Sequence, residues 1–201
     1  DFNILNNPDF RGLAWPQLRW MFTTFYLGPY QPLSWLSLGL DYHFWGLNPY
    51  GYHLTSLVLH AANAAGFFAL ALLLLRRIDP PRPDAPAWAW PAAAGISALL
   101  FAWHPLRVES VAWVTERRDV LSGLFYLLSL CAYLRGLNRE RWLERHGAAL
   151  AFFAAALLSK AIVISLPVVL VLLDFYPLRR LPLEMRRWGE ASARPVWIEK
   201  F

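Results

Sequence analysis

Apolar residues in this chain come in long runs, and polar residues collect between them. The longest run reaches from about Tyr52 to Leu75 and is stopped by Arg76-Arg77. Others follow at about Trp88 to Trp103, Val120 to Leu134, Trp142 to Ser159 and Ile162 to Leu178. Runs of this kind predict membrane-crossing helices. The shorter ones must borrow interfacial residues to reach across a hydrocarbon core of about 30 Å. Pro167 is placed to kink the last arm, its lost hydrogen bond being met by neighbours. The first fifty residues differ: aromatic and polar side chains take turns, punctuated by Asn6-Asn7-Pro8 and Gly28-Pro29. Within them, Pro16 to Leu27 and Pro32 to Gly46 predict two short amphipathic helices, each with proline near its start. Neither has the uninterrupted length of a span, so both are expected to lie in the membrane interface. The predicted fold is an all-α integral membrane bundle. Residues 1–50 form a first outer loop, 51–190 the bundle with an outer segment at 104–119, and 191–201 the start of a continuation. The chain opens at Asp1 without Met or signal peptide and ends in Glu199-Lys200-Phe201, and it reads as a fragment.

The arginines orient these segments. Arg135, Arg139, Arg141 and Arg145 precede the apolar stretch Ala148 to Leu173, and Arg179, Arg180, Arg186 and Arg187 follow it. Arginine-rich short loops mark the cytoplasmic side. With both flanks on that side, the stretch goes out and comes back, and Lys160 stands at its outer turn. A lone ammonium inside such a stretch costs several kcal/mol unless it has a partner or a path to water. A cation at the outer mouth of a bundle suits an anionic group such as a lipid phosphate.

Composition agrees. The 201 residues are 57% hydrophobic and include 11 Trp and 8 Tyr, rings that settle at headgroup level. The net charge of +5 lies in arginines between apolar segments, which topology explains better than a nucleic-acid groove. The single cysteine, Cys131, rules out a disulfide within the chain.

Three constellations carry candidate chemistry. His53, Ser56, His60 and Asn63 are spaced to share one face of the first span. They read either as interhelical hydrogen bonding or as a cavity wall reaching down from the outer face. Two histidines seven apart are a weak metal signal, no HExxH or cysteine cluster joins them, and no metal site is assigned. The outer segment His104 to Asp119 holds Arg107, Glu109, Glu116, Arg117, Arg118 and Asp119. Glu109 and Glu116, seven apart, would share a helical face. The segment is either a surface helix laced by ion pairs, worth little individually, or a site in which Arg117 or Arg118 holds an anionic leaving group that a carboxylate orients. Asp1, just before Phe2-Asn3-Ile4-Leu5-Asn6-Asn7-Pro8, means little by itself.

Taken in order, these residues resemble the GT-C glycosyltransferases. Within that class they resemble the transmembrane O-mannosyltransferases that act on cadherins, and more closely their bacterial relatives with tetratricopeptide repeats. The pieces are Asp1 to Pro8, Tyr30-Gln31-Pro32-Leu33, Tyr52-His53-Leu54 with His60, His104-Pro105 through Glu109, Arg117-Arg118-Asp119-Val120-Leu121, Leu158-Ser159-Lys160 and Leu173-Asp174. The chain departs from the family pattern in holding one member of an opening acidic pair, Gln31 in place of a basic residue, and Ala161 where animal members are acidic. The resemblance implies inverting transfer of a sugar, mannose or a similar hexose, from a polyprenyl-phosphate donor to a protein Ser or Thr hydroxyl at the outer face. It implies catalytic roles for Asp1, as general base, and Glu109. Lys160, Arg117 and Arg118 would bind the donor phosphate, and His104, Asp119, His53 and His60 would shape the site. No cofactor is required beyond the lipid-linked sugar. Expected partners are membrane lipids, that donor and an acceptor protein, with no nucleic acid. The expected location is a bacterial inner membrane with a periplasmic site. Two other readings stay open: a non-enzymatic anchor for a repeat scaffold, whose outer charges would be dispensable, and a lipid or small-solute transporter, which predicts an internal pseudo-repeat.

Overall fold

Prolines begin half of the described α-helices. A proline has no N–H to lose in a first turn, and its fixed φ suits one. In the computed structural model, which describes residues 6–26, 28–78, 86–137, 141–182, 188 and 196–197, Pro16, Pro32 and Pro167 occupy first turns, and Pro49 opens the longest helix. The elements in order are α1 (Trp15–Thr23), α2 (Pro32–Trp45), α3 (Pro49–Ile78), α4 (Ala89–Trp103), α5 (Arg107–Ala112), a 3-10 turn (Val114–Glu116), α6 (Arg117–Gly136), α7 (Trp142–Ser159), a second 3-10 turn (Ala161–Ser165) and α8 (Leu166–Phe175). The described residues contain helices and turns and no strand. Gly46, at φ +59°, ends α2 in a conformation that other residues rarely adopt, and its N–H bonds the Tyr42 carbonyl at 2.8 Å.

The side-chain bonds between helices define the topology. On α3 and α6, Ser56 meets Arg117, Asn63 meets Val120 and Arg77 meets the Leu134 carbonyl, so these two helices run in the same direction. Helix α4 runs against them, with His60 beside Ala102 and Phe67 stacked on Phe101 at 4.8 Å. Helix α7 returns along α6, where Ser129 donates to the Ala149 carbonyl at 2.8 Å. Lys160 thereby comes to the start of α6, beside Asp119. Helix α8 goes back again, and its Asp174 accepts hydrogen bonds from Tyr133 near the end of α6 at 2.7 and 2.9 Å. The stretch around Lys160 therefore reverses direction there. Pro167 does not kink it. The reversal is made by Lys160 in extended conformation and the 3-10 turn after it, and Pro167 sits in the first turn of a new helix.

Two packed layers result. Leu70, Leu127, Leu130, Cys131, Leu134, Ala149 and Leu166 form the bundle core. Phe10, Met21, Trp35, Leu38, Tyr52 and Val114 form a second core, in which α1 and α2 lie over the end of the bundle that holds Lys160. Arginines gather at the opposite end: Arg76 and Arg77 in the last turn of α3, Arg135 in that of α6, and Arg180 on Asp174. Arg139, Arg186, Arg187 and the continuation at 191–195 and 198–201 lie outside the described residues.

One helix, α3, is long and apolar enough to cross a membrane; α4 and α8, with its preceding turn, are shorter apolar helices, as is 146–159. Only 11% of the apolar window of α3 is buried. Leu57, Val58, Ile96, Leu99, Leu100, Ile164, Val168 and Leu172 are likewise exposed. A surface this apolar is out of place against water.

Candidate functional site

The outer segment is not one helix. Helix α5 ends at Ala112, Trp113 is extended at φ −92°, ψ 121°, and a 3-10 turn follows. The seven-residue spacing of Glu109 and Glu116 therefore does not place them on one face. Glu109 is exposed and lines neither of the cavities at this end. Glu116 turns inward and meets two cations.

Four charged groups converge there. Lys160 Nζ bonds Asp119 and lies 3.4 Å from Glu116. Arg118 binds Glu116 at 2.7 Å. Ser110, on α5, donates to the second oxygen of Asp119 at 3.4 Å. The Arg118 guanidinium, hydrogen-bonded to Glu116, holds that carboxyl below its ordinary value of 4.5, with Asp119 and Lys160 adding to the effect against partial burial. The two carboxylates and two cations cancel in formal charge, and each stays partly accessible.

Lys160 is held there by backbone. Its N–H closes the last turn of α7 on the Ala156 carbonyl at 2.9 Å. Ser34 on α2 donates to the Ser159 carbonyl at 2.9 Å, pinning the residue before it to the upper layer.

Arg117 has a different task. It is fully buried and donates to Ser56 (3.1 Å), Ser37 (3.0 Å), Asp41 (2.7 Å) and the Tyr52 carbonyl (2.7 Å). Thr55 donates to the other oxygen of Asp41 at 2.7 Å. The phosphate-binding role expected of Arg117 is thus corrected. A guanidinium with no exposed surface and four internal acceptors clasps α2, α3 and α6 together and offers a ligand nothing. Asp41 was missed in the sequence, although a lone carboxylate in the apolar helix α2, four residues after Ser37, is a signal that a buried cation must oppose it.

Two cavities of about 420 Å³ each open beside the cluster. One, between α3, α6 and the turn after Lys160, is lined by Asp119, Lys160, Ser110, Asn63 and Tyr126 among others. The second lies between α3, α4 and α5 and includes His53, Leu57, Trp103, His104, Val108 and Val111. His60 and Arg107 line both. The polar stripe of α3 divides accordingly. Ser56 and Asn63 face α6, Asn63 donating to the Val120 carbonyl at 2.7 Å. His53 and His60 form cavity wall, with His60 Nε2 3.1 Å from the Ala102 carbonyl. His104 Nδ1 accepts from the Leu106 N–H at 3.3 Å. Among the described residues no three His, Cys, Asp or Glu side chains are grouped to share a metal ion. Asp1 lies outside the described residues.

The chain is similar to several curated proteins. Protein O-mannosyl-transferase tmtc2 of Xenopus laevis is 39% identical over 118 residues, 56% of this chain and 13% of that protein. Protein O-mannosyl-transferase TMTC1 of Homo sapiens is 33% identical over 147 residues, covering 68% and 15%. Protein O-mannosyl-transferase Tmtc2 of Drosophila melanogaster is 36% identical over 154 residues, covering 73% and 15%. The chain thus spans about an eighth to a seventh of the length of these relatives. No family model matches it. No solved structure matches it. The resemblance to the transmembrane O-mannosyltransferases read from the ordered motifs is borne out by this similarity.

Proposed function

We propose, from this kinship with the protein O-mannosyl-transferases, that the chain is part of a GT-C glycosyltransferase. Its parent would move a sugar, mannose or a similar hexose, from a polyprenyl-phosphate donor to a protein Ser or Thr hydroxyl, with inversion. The observation that carries the reading is the convergence of Lys160, Asp119, Glu116 and Arg118 beside a cavity, at the end of an apolar bundle opposite Arg76, Arg77, Arg135 and Arg180. By the positive-inside rule that end is the outer one. In this reading the site is periplasmic, in a bacterial inner membrane.

The chemistry asks for two things. Negative charge grows on the phosphate as the sugar leaves, and a fixed cation lowers that barrier. Lys160 is the cation best placed to do so, since it lines the cavity and its backbone is held at a helix end. Asp119 and Glu116 fix the direction of its ammonium. The acceptor hydroxyl must also lose a proton to a carboxylate. Glu116 does not suit that step, because its partner Arg118 favours its charged form and weakens it as a base. Asp1, which the family resemblance puts at the acidic position of the first outer loop, is the base in this reading. His60 and Asn63 wall the cavity where the sugar would sit.

The test uses the full-length parent in nanodiscs with radiolabelled polyprenyl-phosphate-mannose, following label into protein. Wild type should transfer label. Lys160→Ala should lose about a hundredfold or more in rate, the scale for removing one donor to a developing oxyanion, and Asp1→Asn should lose activity comparably. No transfer by wild type moves weight to the membrane anchor or the transporter. Full activity in a well-folded Lys160→Ala variant removes Lys160 from the site.

A further inference from the structure

Of Lys160 and the arginines of residues 104–119, each is already matched among the described residues except Arg107, which is exposed. Arg117 is spent on Asp41, Arg118 on Glu116, and Lys160 on Glu116 and Asp119. Arg107 forms no ion pair and no side-chain hydrogen bond among the described residues. Its guanidinium carbon lies 4.5 Å from the centre of the Phe101 ring. A ring takes up the face of a guanidinium and leaves its edge N–H groups free for a bidentate acceptor. Arg107 also lines both cavities, so an anion bound to it would stand at their junction.

The two cavities differ in chemistry. On the Lys160 side, Asp119, Ser110 and Asn63 offer polar contacts, and the Asn63 Oδ1 is buried without a partner. On the other side, Leu57, Trp103, Val108 and Val111 dominate. The rim of that apolar cavity is exposed and apolar too: Trp103 is 84% exposed, Leu106 79% and Val108 65%. Ile96, Leu99 and Leu100 are exposed on α4, the helix that ends in Trp103. An unmatched guanidinium between a polar and an apolar cavity fits a molecule with an anionic centre, a polar group on one side and an apolar chain on the other. A polyprenyl-phosphate sugar has that order of parts.

We infer that Arg107 is the anchor for the donor phosphate, with the first isoprene units in the cavity between α3, α4 and α5 and the sugar in the cavity of Lys160. This rests on the function proposed above and deepens it. Lys160, neutralised at rest by two carboxylates, then acts on charge that develops during transfer, and Arg107 acts on charge the donor already carries. The sugar's hydroxyls come within reach of the unpartnered Asn63 oxygen, and the apolar chain leaves the protein beside Trp103.

The experiment measures binding of radiolabelled polyprenyl phosphate, without sugar, to the full-length protein in nanodiscs, together with the donor dependence of sugar transfer. Arg107→Gln should weaken binding by about tenfold or more, as expected for losing a charge-assisted bidentate contact. It should raise the KM for donor far more than it lowers kcat. Arg107→Lys should recover part of the affinity, and Val111→Trp, which fills the apolar cavity and leaves every charge in place, should weaken binding as well. Excess phosphatidylglycerol should not displace the probe. Protection of Cys131 from thiol labelling reports that each variant is folded. Wild-type transfer combined with an unchanged donor KM in folded Arg107→Gln overturns the anchor and leaves the proposed function standing. Displacement by phosphatidylglycerol overturns it in favour of a general lipid contact. A wild type that binds polyprenyl phosphate through Arg107 but transfers no sugar defeats the proposed function and keeps the phosphate site.

Discussion

Replacing Arg117 by methionine keeps the length of the side chain and removes every donor. Asp41, whose side chain is 7% exposed, would keep only the Thr55 hydroxyl. Ser37, Ser56 and the Tyr52 carbonyl would each lose an N–H. Breaking a buried pair from one side costs about 3–5 kcal/mol, because the remaining charge is left uncompensated. In a domain of this size 1 kcal/mol corresponds to about 2–4 °C of melting temperature, so the loss should be roughly 6–20 °C. Cys131 is buried in the bundle core and is the sole cysteine of the chain, so its labelling during a thermal ramp, read by peptide mass spectrometry, follows unfolding. Arg117→Lys should fall between wild type and methionine, since a single ammonium cannot reach four acceptors spread over two helices. The combined Arg117→Met and Asp41→Leu variant should recover at least half of the loss, because it removes both charges. A shift below about 2 °C in the single variant, or a double variant no better than the single, would refute the clasp.

Tyr133→Phe should cost about 1–3 kcal/mol by the same assay, since it takes the hydroxyl from Asp174, which is fully buried and keeps Arg180. Gly39→Ala should destabilise the upper layer by about 1–3 kcal/mol. Its Cβ would lie 3.1 Å from the carbonyl oxygens of Phe10 and Gly12 and 2.6 Å from the Met21 methyl. Limited proteolysis within residues 1–50 should speed up while Cys131 stays protected. Glu116→Gln tests the acid side. A carboxylate held below 4.5 adds stability that is fully present above 4.5 and is lost as pH falls through its folded value. The stability gap between wild type and Glu116→Gln should therefore be constant from pH 7 to pH 5 and close below about 4.5; a gap that widens on acidification would contradict the pairing with Arg118.

Helices were legible because each signal is local. Proline sets a first turn, an apolar run needs a helix to satisfy its backbone, and arginine pairs stop it. The reversal at Lys160 was legible too, since arginine on both flanks and a cation between them admit few other topologies. What the sequence hid depends on which of several equivalent side chains a fold turns inward. Arg117 and Arg118 are adjacent and identical, and spacing cannot say which is buried. The start of α6 makes the choice, aiming residue 117 at α2 and α3 and residue 118 back at Glu116. Glu109 and Glu116 were mispaired because a helical repeat was extended across Trp113, where the backbone is extended.

The division of labour between the two arginines has a consequence for the cluster as a whole. A charged site in an apolar bundle needs a frame that fixes the backbone of its charged residues. Here that frame is a layer that has no part in the chemistry. Arg117 ties α2 to α3 and α6, and Ser34 ties the same α2 to the residue before Lys160. Helix α2 therefore fixes the two ends of the span between Asp119 and Lys160. The ion pairs of Lys160 are partly exposed and by themselves worth little, so they cannot be what positions it. They aim an ammonium whose backbone is already placed. Arg107, stacked on a ring and outside the clasp, has no ion pair among the described residues and is free to answer a ligand.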